Sequence, residues 1–347
     1  MILIYGVTGY TGRLVLEECL AAGLRPVVAG RDASAVRAIA EPHGLEWRVA
    51  SLDNSVALDA ALAGVTVVIH CAGPFARTSR PMADACLRNK VHYLDITGEI
   101  AVFESLARRD AEAKAAGVML LPGSGFDVVP SDCLAAHLKA RLPAATSLVL
   151  AFYGGSGLSR GTATTMAENA GGPGAIRRGG RIVPVPPAWR TRVVDFGSRQ
   201  RLTMTIPWGD VSTAFYSTGI PDIEVYAAVH PSSVRMMRLS RFIGPVLRTA
   251  FVRRQLVNAI NRRPAGPSAE ARARGRAQLW GEVRDAAGNT ATARLETPDG
   301  YTLTAKTAVL AARAVLEGRA MPGYQTPSRA FGADFILAVP GTTRTDL

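Results

Sequence analysis

The sequence of 347 residues is poor in cysteine and in histidine. Cys19, Cys71, Cys86 and Cys133 lie far apart and make no C-x-x-C pair, and His43, His70, His92, His137 and His230 are equally scattered. The first absence argues against a disulfide framework or a dithiol redox centre, the second against a zinc site. Four reduced, buried thiols are the expectation, which suits the cytoplasm. No stretch of about 18 uncharged apolar residues occurs, so no membrane-spanning helix is expected. The opening MILIYGVTG also lacks the basic region and small-residue cleavage site of a secretory signal. Acidic residues are nearly missing from one stretch. Between Pro231 and Arg276, eleven arginines stand against Glu270 alone, giving that segment +10 of the total +12. The remainder is close to neutral, so the chain as a whole is no nucleic-acid binder by composition.

What is present fits a globular protein, with 48% hydrophobic and 20% charged residues. The length exceeds what one core usually serves, so two domains are expected. From residue 1 to about 125, short apolar runs alternate with helical patterns. The strands are 2–5, 26–30, 47–50, 65–73, 92–96 and 118–123, with helices near 12–22, 35–40, 79–89 and 102–116. This alternation predicts a doubly wound, Rossmann-type parallel sheet of about six strands, covered on both faces. After a helix over 131–142, with Pro130 and Asp132 in its first turn, the pattern changes. Alternating segments at 147–154, 202–208, 223–229, 277–285, 290–297 and 301–309 predict a mixed or antiparallel sheet. The turn signals DAAGN and TPDG would join the last three into a meander. The expected division is residues 1–128 for the nucleotide domain and 129–304 for an α+β substrate and dimerisation domain. Residues 305–347, including a helix at 305–318, would pack back on the first domain; a homodimer stays open.

Gly6, Gly9 and Gly12 follow the first strand at once and open the first helix. In that setting Gly6 permits the turn, Gly9 lets a diphosphate approach the backbone, and Gly12 lets helix and strand pack closely. Thr8, Tyr10 and Thr11 complete this loop, whose helix N-terminus presents amides to the phosphates. At the end of the second strand, where an NAD-preferring site places an acid, stand Gly30 and Arg31. A guanidinium pairs with a 2′-phosphate, so NADP(H) is favoured over NAD(H), with Asp32 as the opposing feature. Ala72, Gly73 and Pro74 follow the fourth strand and would run under the ribose and nicotinamide. Asp53, after the third strand, either meets the adenine edge or caps the next helix.

These stretches, together with YLDITGE (93–99), PGSGFDVVPSD (122–132), SRGTATTM (159–166) and GYQTPSRAFGADF (323–335), resemble the saccharopine dehydrogenase-like oxidoreductases, including the trans-acting enoyl reductases. The resemblance implies a nucleotide domain interrupted by an α+β domain, with the active site in the cleft between them. The chain shows no sign of the residues that would hold the aminodicarboxylate groups of saccharopine.

Hydride transfer needs a group that moves a proton or stabilises charge beside the nicotinamide. The Tyr-x-x-x-Lys dyad is absent, since Tyr93 is followed at +4 by Thr97 and Tyr301 by Ala305. Candidates for catalysis are Tyr93, Asp127 and Arg160, with Asp95, Glu99 and Thr162 nearby in sequence. For Asp95 and Glu99 helix capping or loop anchoring is the competing role, and for Asp127 fixing the link into the second domain. The leading function is an NADP(H)-dependent oxidoreductase that reduces a C=C, C=N or C=O bond of a small or lipid-like metabolite. A non-catalytic NADP(H) sensor is the alternative. Segment 234–263 interleaves arginines with apolar residues around an expected break at Gly244–Pro245. It is either a pair of amphipathic helices with arginines in water or a basic surface for anionic lipid or an acidic carrier protein. The second role would make the protein membrane-peripheral.

Overall fold

The structure is a computed structural model, and it describes residues 1–154, 157–168, 171–247 and 249–347. Its contacts divide the chain into two units, Met1–Val129 with Tyr301–Phe331, and Pro130–Gly300 with Gly332–Leu347.

The first unit alternates strand and helix. In chain order it runs β1 (Ile2–Tyr5), α1 (Tyr10–Ala21), β2 (Val27–Gly30), α2 (Ala33–Ala40), β3 (Trp47–Val49) and α3 (Ser55–Ala61). It continues with β4 (Val67–His70), α4 (Phe75–Asn89), β5 (His92–Asp95), α5 (Ile100–Ala107), α6 (Asp110–Ala116) and β6 (Met119–Leu121). Strands β1, β2 and β4 are buried along their whole length, as a sheet covered on both faces requires. The pattern expected over 102–116 divides into two helices at Arg108–Arg109, and α4 begins four residues before the expected 79.

The second unit opens with α7 (Val129–Arg141), β7 (Ala145–Gly154), α8 (Arg160–Glu168), β8 (Gly174–Arg178), β9 (Arg181–Val185) and β10 (Thr191–Asp195). Then come β11 (Gln200–Thr205), α9 (Asp210–Thr218), β12 (Asp222–Ala228), α10 (Pro231–Leu247), α11 (Ala250–Asn261) and α12 (Ala269–Arg274). A hairpin of β13 (Arg276–Asp285) and β14 (Thr290–Pro298) follows. Its turn is tied by Asn289, whose amide donates to Asp285 Oδ1 at 2.8 Å. The chain ends with α13 (Gly300–Leu316), β15 (Gly323–Tyr324), α14 (Pro327–Phe331) and β16 (Thr343–Asp346).

Sheet order in the first unit is β15-β6-β5-β4-β1-β2-β3, and every pairing is parallel. The doubly wound arrangement is therefore as the alternation implied, with β15 as a further strand that two residues could not announce. The second sheet runs β10-β11-β12-β7-β13-β14-β16, with β8 and β9 on a branch. It is mixed, because β12 and β7 are parallel while β13 pairs antiparallel with β7 and β14.

Two expectations change. Residues 301–309 are not a third meander strand but the start of α13, so β13 and β14 form a hairpin alone. Thr304 and Thr307 are buried helical positions. Thr304 Oγ1 accepts the Phe126 amide at 3.0 Å, and Thr307 Oγ1 donates to the Ser124 carbonyl at 2.8 Å. The tail also divides: Tyr301–Phe331 belongs to the first unit, whereas Gly332–Leu347 belongs to the second, where β16 pairs with β14.

In the arginine-rich segment, α10 continues past Gly244–Pro245 to Leu247 and α11 begins at Ala250, capped by Thr249. Arg248 lies outside the described residues. Among the described residues no helix is long and apolar enough to cross a membrane. Cys19, Cys86 and Cys133 are buried, but Cys71 is only half-buried.

Candidate functional site

The C-terminal edge of the parallel sheet collects most of the candidate residues, as open α/β sheets do. Gly6 has φ +88°, a conformation that L side chains rarely adopt. A methyl group there would lie 2.8 Å from the Ala72 amide nitrogen. The glycine loop thus rests directly against the start of the strip Ala72–Pro74. A methyl at Gly12 would collide with the Gly6 carbonyl oxygen and come within 2.9 Å of Val7 Cα, so α1 can pack on β1 only with glycine there. Thr8 and Gly9 are exposed, Tyr10 and Thr11 are half-buried, and the Tyr10 ring meets Tyr301 edge-on at 5.2 Å.

The helix ends decide where an anion can sit. Asp32 closes α2 by accepting the Ala35 amide at 3.0 Å, and Asn54 closes α3 by accepting the Ala57 amide at 3.0 Å. Glu99 closes α4 from 24 residues away. Its Oε1 accepts the Phe75 amide at 2.9 Å and its Oε2 the Ala76 amide at 2.8 Å. Helix α1 has Gly9 at its cap position and no side-chain cap. Its first-turn amides and positive dipole end are the seat that an anionic diphosphate fits, over a glycine surface that side chains would fill.

Asp32 is therefore engaged as a cap, and its carboxyl is held below the ordinary range by the Ala35 amide and the Ser34 hydroxyl. Gly30 also has a packing role, because a methyl there would lie 3.0 Å from Val36 Cγ2 on α2. Arg31 is exposed at the strand end. It and Asp53 both act on the Tyr5 phenol, which burial raises, Arg31 lowers and Asp53 raises. They thus share one edge of the sheet. Asp53 is exposed and does not cap α3; Asn54 does.

Beyond β5 lies a group of acids. Asp95 is fully buried and accepts the Tyr93 hydroxyl at 2.6 Å, the Thr97 amide at 3.0 Å and the Gly123 amide at 2.8 Å. Burial pushes its carboxyl up to about 6 against these bonds. Tyr93 is also fully buried, and burial raises its phenol well above the ordinary value. Its hydroxyl is turned to Asp95, so it anchors that carboxyl.

Asp127 differs from Asp95. It is half-buried, and burial alone pushes its carboxyl up to about 7, with no hydrogen bond directed at it among the described residues. Its Oδ2 leans on Gly98, 2.5 Å from where a methyl group would stand. A carboxyl close to neutrality, partly open to solvent and without a donor, can take up and release a proton near pH 7. Sequence reasoning does not single out Gly98; its one signal is a glycine three residues past the end of β5.

Arg160 and Thr162 belong to the second unit, at the start of α8. The Arg160 guanidinium reaches the Asn261 carbonyl at 3.4 Å, and Ser159 accepts the Thr162 amide at 3.2 Å.

Comparison with known proteins agrees with this geometry. Residues 2–121 match the family described as the saccharopine dehydrogenase NADP binding domain. A trans-acting enoyl reductase of Mycobacterium leprae is 32% identical over 149 residues, which covers 41% of this chain and 36% of that protein. The chain spans less than half the length of the curated relatives it matches. Among solved structures, saccharopine dehydrogenase (L-Glu forming) from Saccharomyces cerevisiae has a TM-score of 0.66 at 13% identity, covering 100% of this chain and 99% of that one. The homospermidine synthase of Legionella pneumophila, solved in complex with NAD, has a TM-score of 0.64 at 10% identity, covering 100% and 91%. These two likenesses concern the fold alone. Residues 2–121, which carry the glycine loop and strands β1 to β6, are thus similar to the saccharopine dehydrogenase NADP binding domain.

Proposed function

We propose that the protein is an NADP(H)-dependent oxidoreductase that reduces a conjugated C=C bond of a lipid-like acyl compound. The observation that carries the reaction is Asp127, a solvent-reachable carboxyl that burial holds near neutrality on the same edge of the sheet as the glycine loop. Names of relatives as enoyl reductases support the bond type. The uncapped start of α1 and the glycine surface would hold the diphosphate, Ala72–Pro74 would lie along the nicotinamide half, and Arg31 would pair with the 2′-phosphate. Bound there, a reduced nicotinamide supplies hydride equivalents to a substrate carbon. The chain's own part is to orient that half and to deliver the balancing proton from the Asp127 carboxyl, which is then reprotonated from water. A proton donor must be protonated to act, so turnover is expected below about pH 7 and falls above it.

On the second unit, Met236, Leu239 and Phe251 are exposed at 67%, 63% and 71% among the arginines of α10 and α11. That pairing of positive charge and exposed apolar side chains suits an anionic bilayer surface, which we propose as its partner.

The test is calorimetric titration of the protein with NADPH and NADH, followed by NADPH oxidation with crotonyl-N-acetylcysteamine, an unsaturated thioester. Tight NADPH binding and turnover are expected. Stoichiometric binding without oxidation of NADPH by enones, imines or ketones would make the protein a sensor, and no heat with either nucleotide would end the redox reading.

A further inference from the structure

Strand β5 ends in a turn, Thr97-Gly98-Glu99, that touches both halves of the reaction described above without belonging to either. Thr97 is fully buried; its amide donates to Asp95 Oδ1 at 3.0 Å, and its hydroxyl oxygen accepts the Glu99 amide at 3.1 Å. Asp95 is fixed in turn by the Tyr93 hydroxyl and the Gly123 amide. The turn is therefore bolted to the sheet from below.

Its outer residues face two ways. Glu99 bonds the amides of Phe75 and Ala76, the first two residues after Ala72–Pro74. The strip is thus held at one end by Glu99 and at the other by its contact with Gly6. Gly98 faces Asp127. Its backbone is not in the left-handed region, so the conformation there does not call for glycine. The neighbouring carboxyl does: a methyl group would stand 2.5 Å from Asp127 Oδ2 and 3.0 Å from its Cγ. Oδ2 and Cγ end a short side chain that can rotate, and Asp127 Cβ, 3.1 Å from the added methyl, has to give by only a few tenths of an ångström, so alanine would turn the Asp127 carboxyl off Gly98 and leave the fold in place.

We infer that this turn is the positioning element of the centre: Glu99 sets the strip that receives the nicotinamide half, and Gly98 seats the proton donor Asp127. Neither residue is catalytic; each acts through a neighbour. The inference rests on the function proposed above, and it predicts that the two roles separate by substitution. A residue that merely supported the fold would weaken both together.

The experiment uses the full chain and two readouts. Carbon-13 NMR of labelled aspartate carboxyls, with the Asp127 signal assigned by its loss in Asp127→Asn, follows the proton donor without any substrate. Calorimetry with NADPH follows the strip. In Gly98→Ala the Asp127 signal should titrate in the ordinary carboxylate range, while the affinity for NADPH stays within about twofold of the parent protein. In Glu99→Gln, which can accept from only one of the two amides, NADPH affinity should fall about tenfold or more, while Asp127 titrates as before. Equal changes in both readouts for either variant, or no change in both, would overturn the inference. If the parent protein binds no NADPH, the cofactor reading and the Glu99 role fall together, whereas the Asp127 titration still decides the role of Gly98.

Discussion

The Tyr93 hydroxyl lies 2.6 Å from Asp95 Oδ2, between two side chains that water does not reach. Removing it in Tyr93→Phe leaves the carboxylate with two backbone donors in place of three donors in all. The expected cost is about 1–3 kcal/mol of stability, because a buried acceptor loses a partner. Urea denaturation measures it. Turnover per folded molecule should stay within a few-fold of the parent; a loss of a hundredfold or more without loss of stability would return Tyr93 to the reaction.

Asp127 gives a prediction with opposite signs for stability and activity. Its folded-state carboxyl is raised to about 7, so the native protein holds a proton that the unfolded chain releases near pH 4. The folded state therefore loses stability as pH rises through that window. Asp127→Asn removes the charge that burial penalises. Its melting temperature should exceed that of the parent at about pH 8 and match it near pH 4, while kcat falls about 100-fold or more. A variant with unchanged kcat would exclude Asp127 as the proton donor.

Arg31 should set the preference between nucleotides. Arg31→Ala is expected to weaken NADPH binding about 10- to 100-fold, the loss of one charge-assisted contact to a phosphate. NADH, which lacks that phosphate, should bind as before. Calorimetry with both nucleotides provides the comparison, and an equal loss for the two would place the 2′-phosphate elsewhere.

The basic helices should respond to salt and to charge. Replacing Arg253 and Arg254 by Gln should reduce sedimentation with vesicles containing phosphatidylserine by about tenfold or more, since each basic residue near such a surface contributes about 1 kcal/mol. Binding of the parent protein should weaken as salt is raised. Unchanged sedimentation would return these helices to a purely structural role, with arginines in water.

What the sequence announces and what it hides follow from the range of each interaction. Strands β1 to β6 are legible because their apolar runs are local, and Gly6, Gly9 and Gly12 because the turn they make is local. The true start of α4 is not, because its cap is Glu99, 24 residues further on, and no capping residue precedes Phe75. Residues 301–309 mislead for the same reason. The partners that satisfy Thr304 and Thr307, the Phe126 amide and the Ser124 carbonyl, lie 178 and 183 residues away. Without them the alternating hydroxyls read as the wet face of a strand. Asp127 was visible as an acid after a strand, but its seat on Gly98 depends on two loops meeting.

The first unit borrows its outermost strand from chain that returns only after a long excursion: β15 adds to the β6 edge through the Gly323 amide and the Val118 carbonyl, 2.9 Å apart. Shortening the polypeptide after Val129 would strip that edge and α13 as well, baring the flank of β6 to self-association. The stretch that matches the family, residues 2–121, is accordingly not a severable module, and its production in isolation should yield aggregates where the whole polypeptide yields a monodisperse solution.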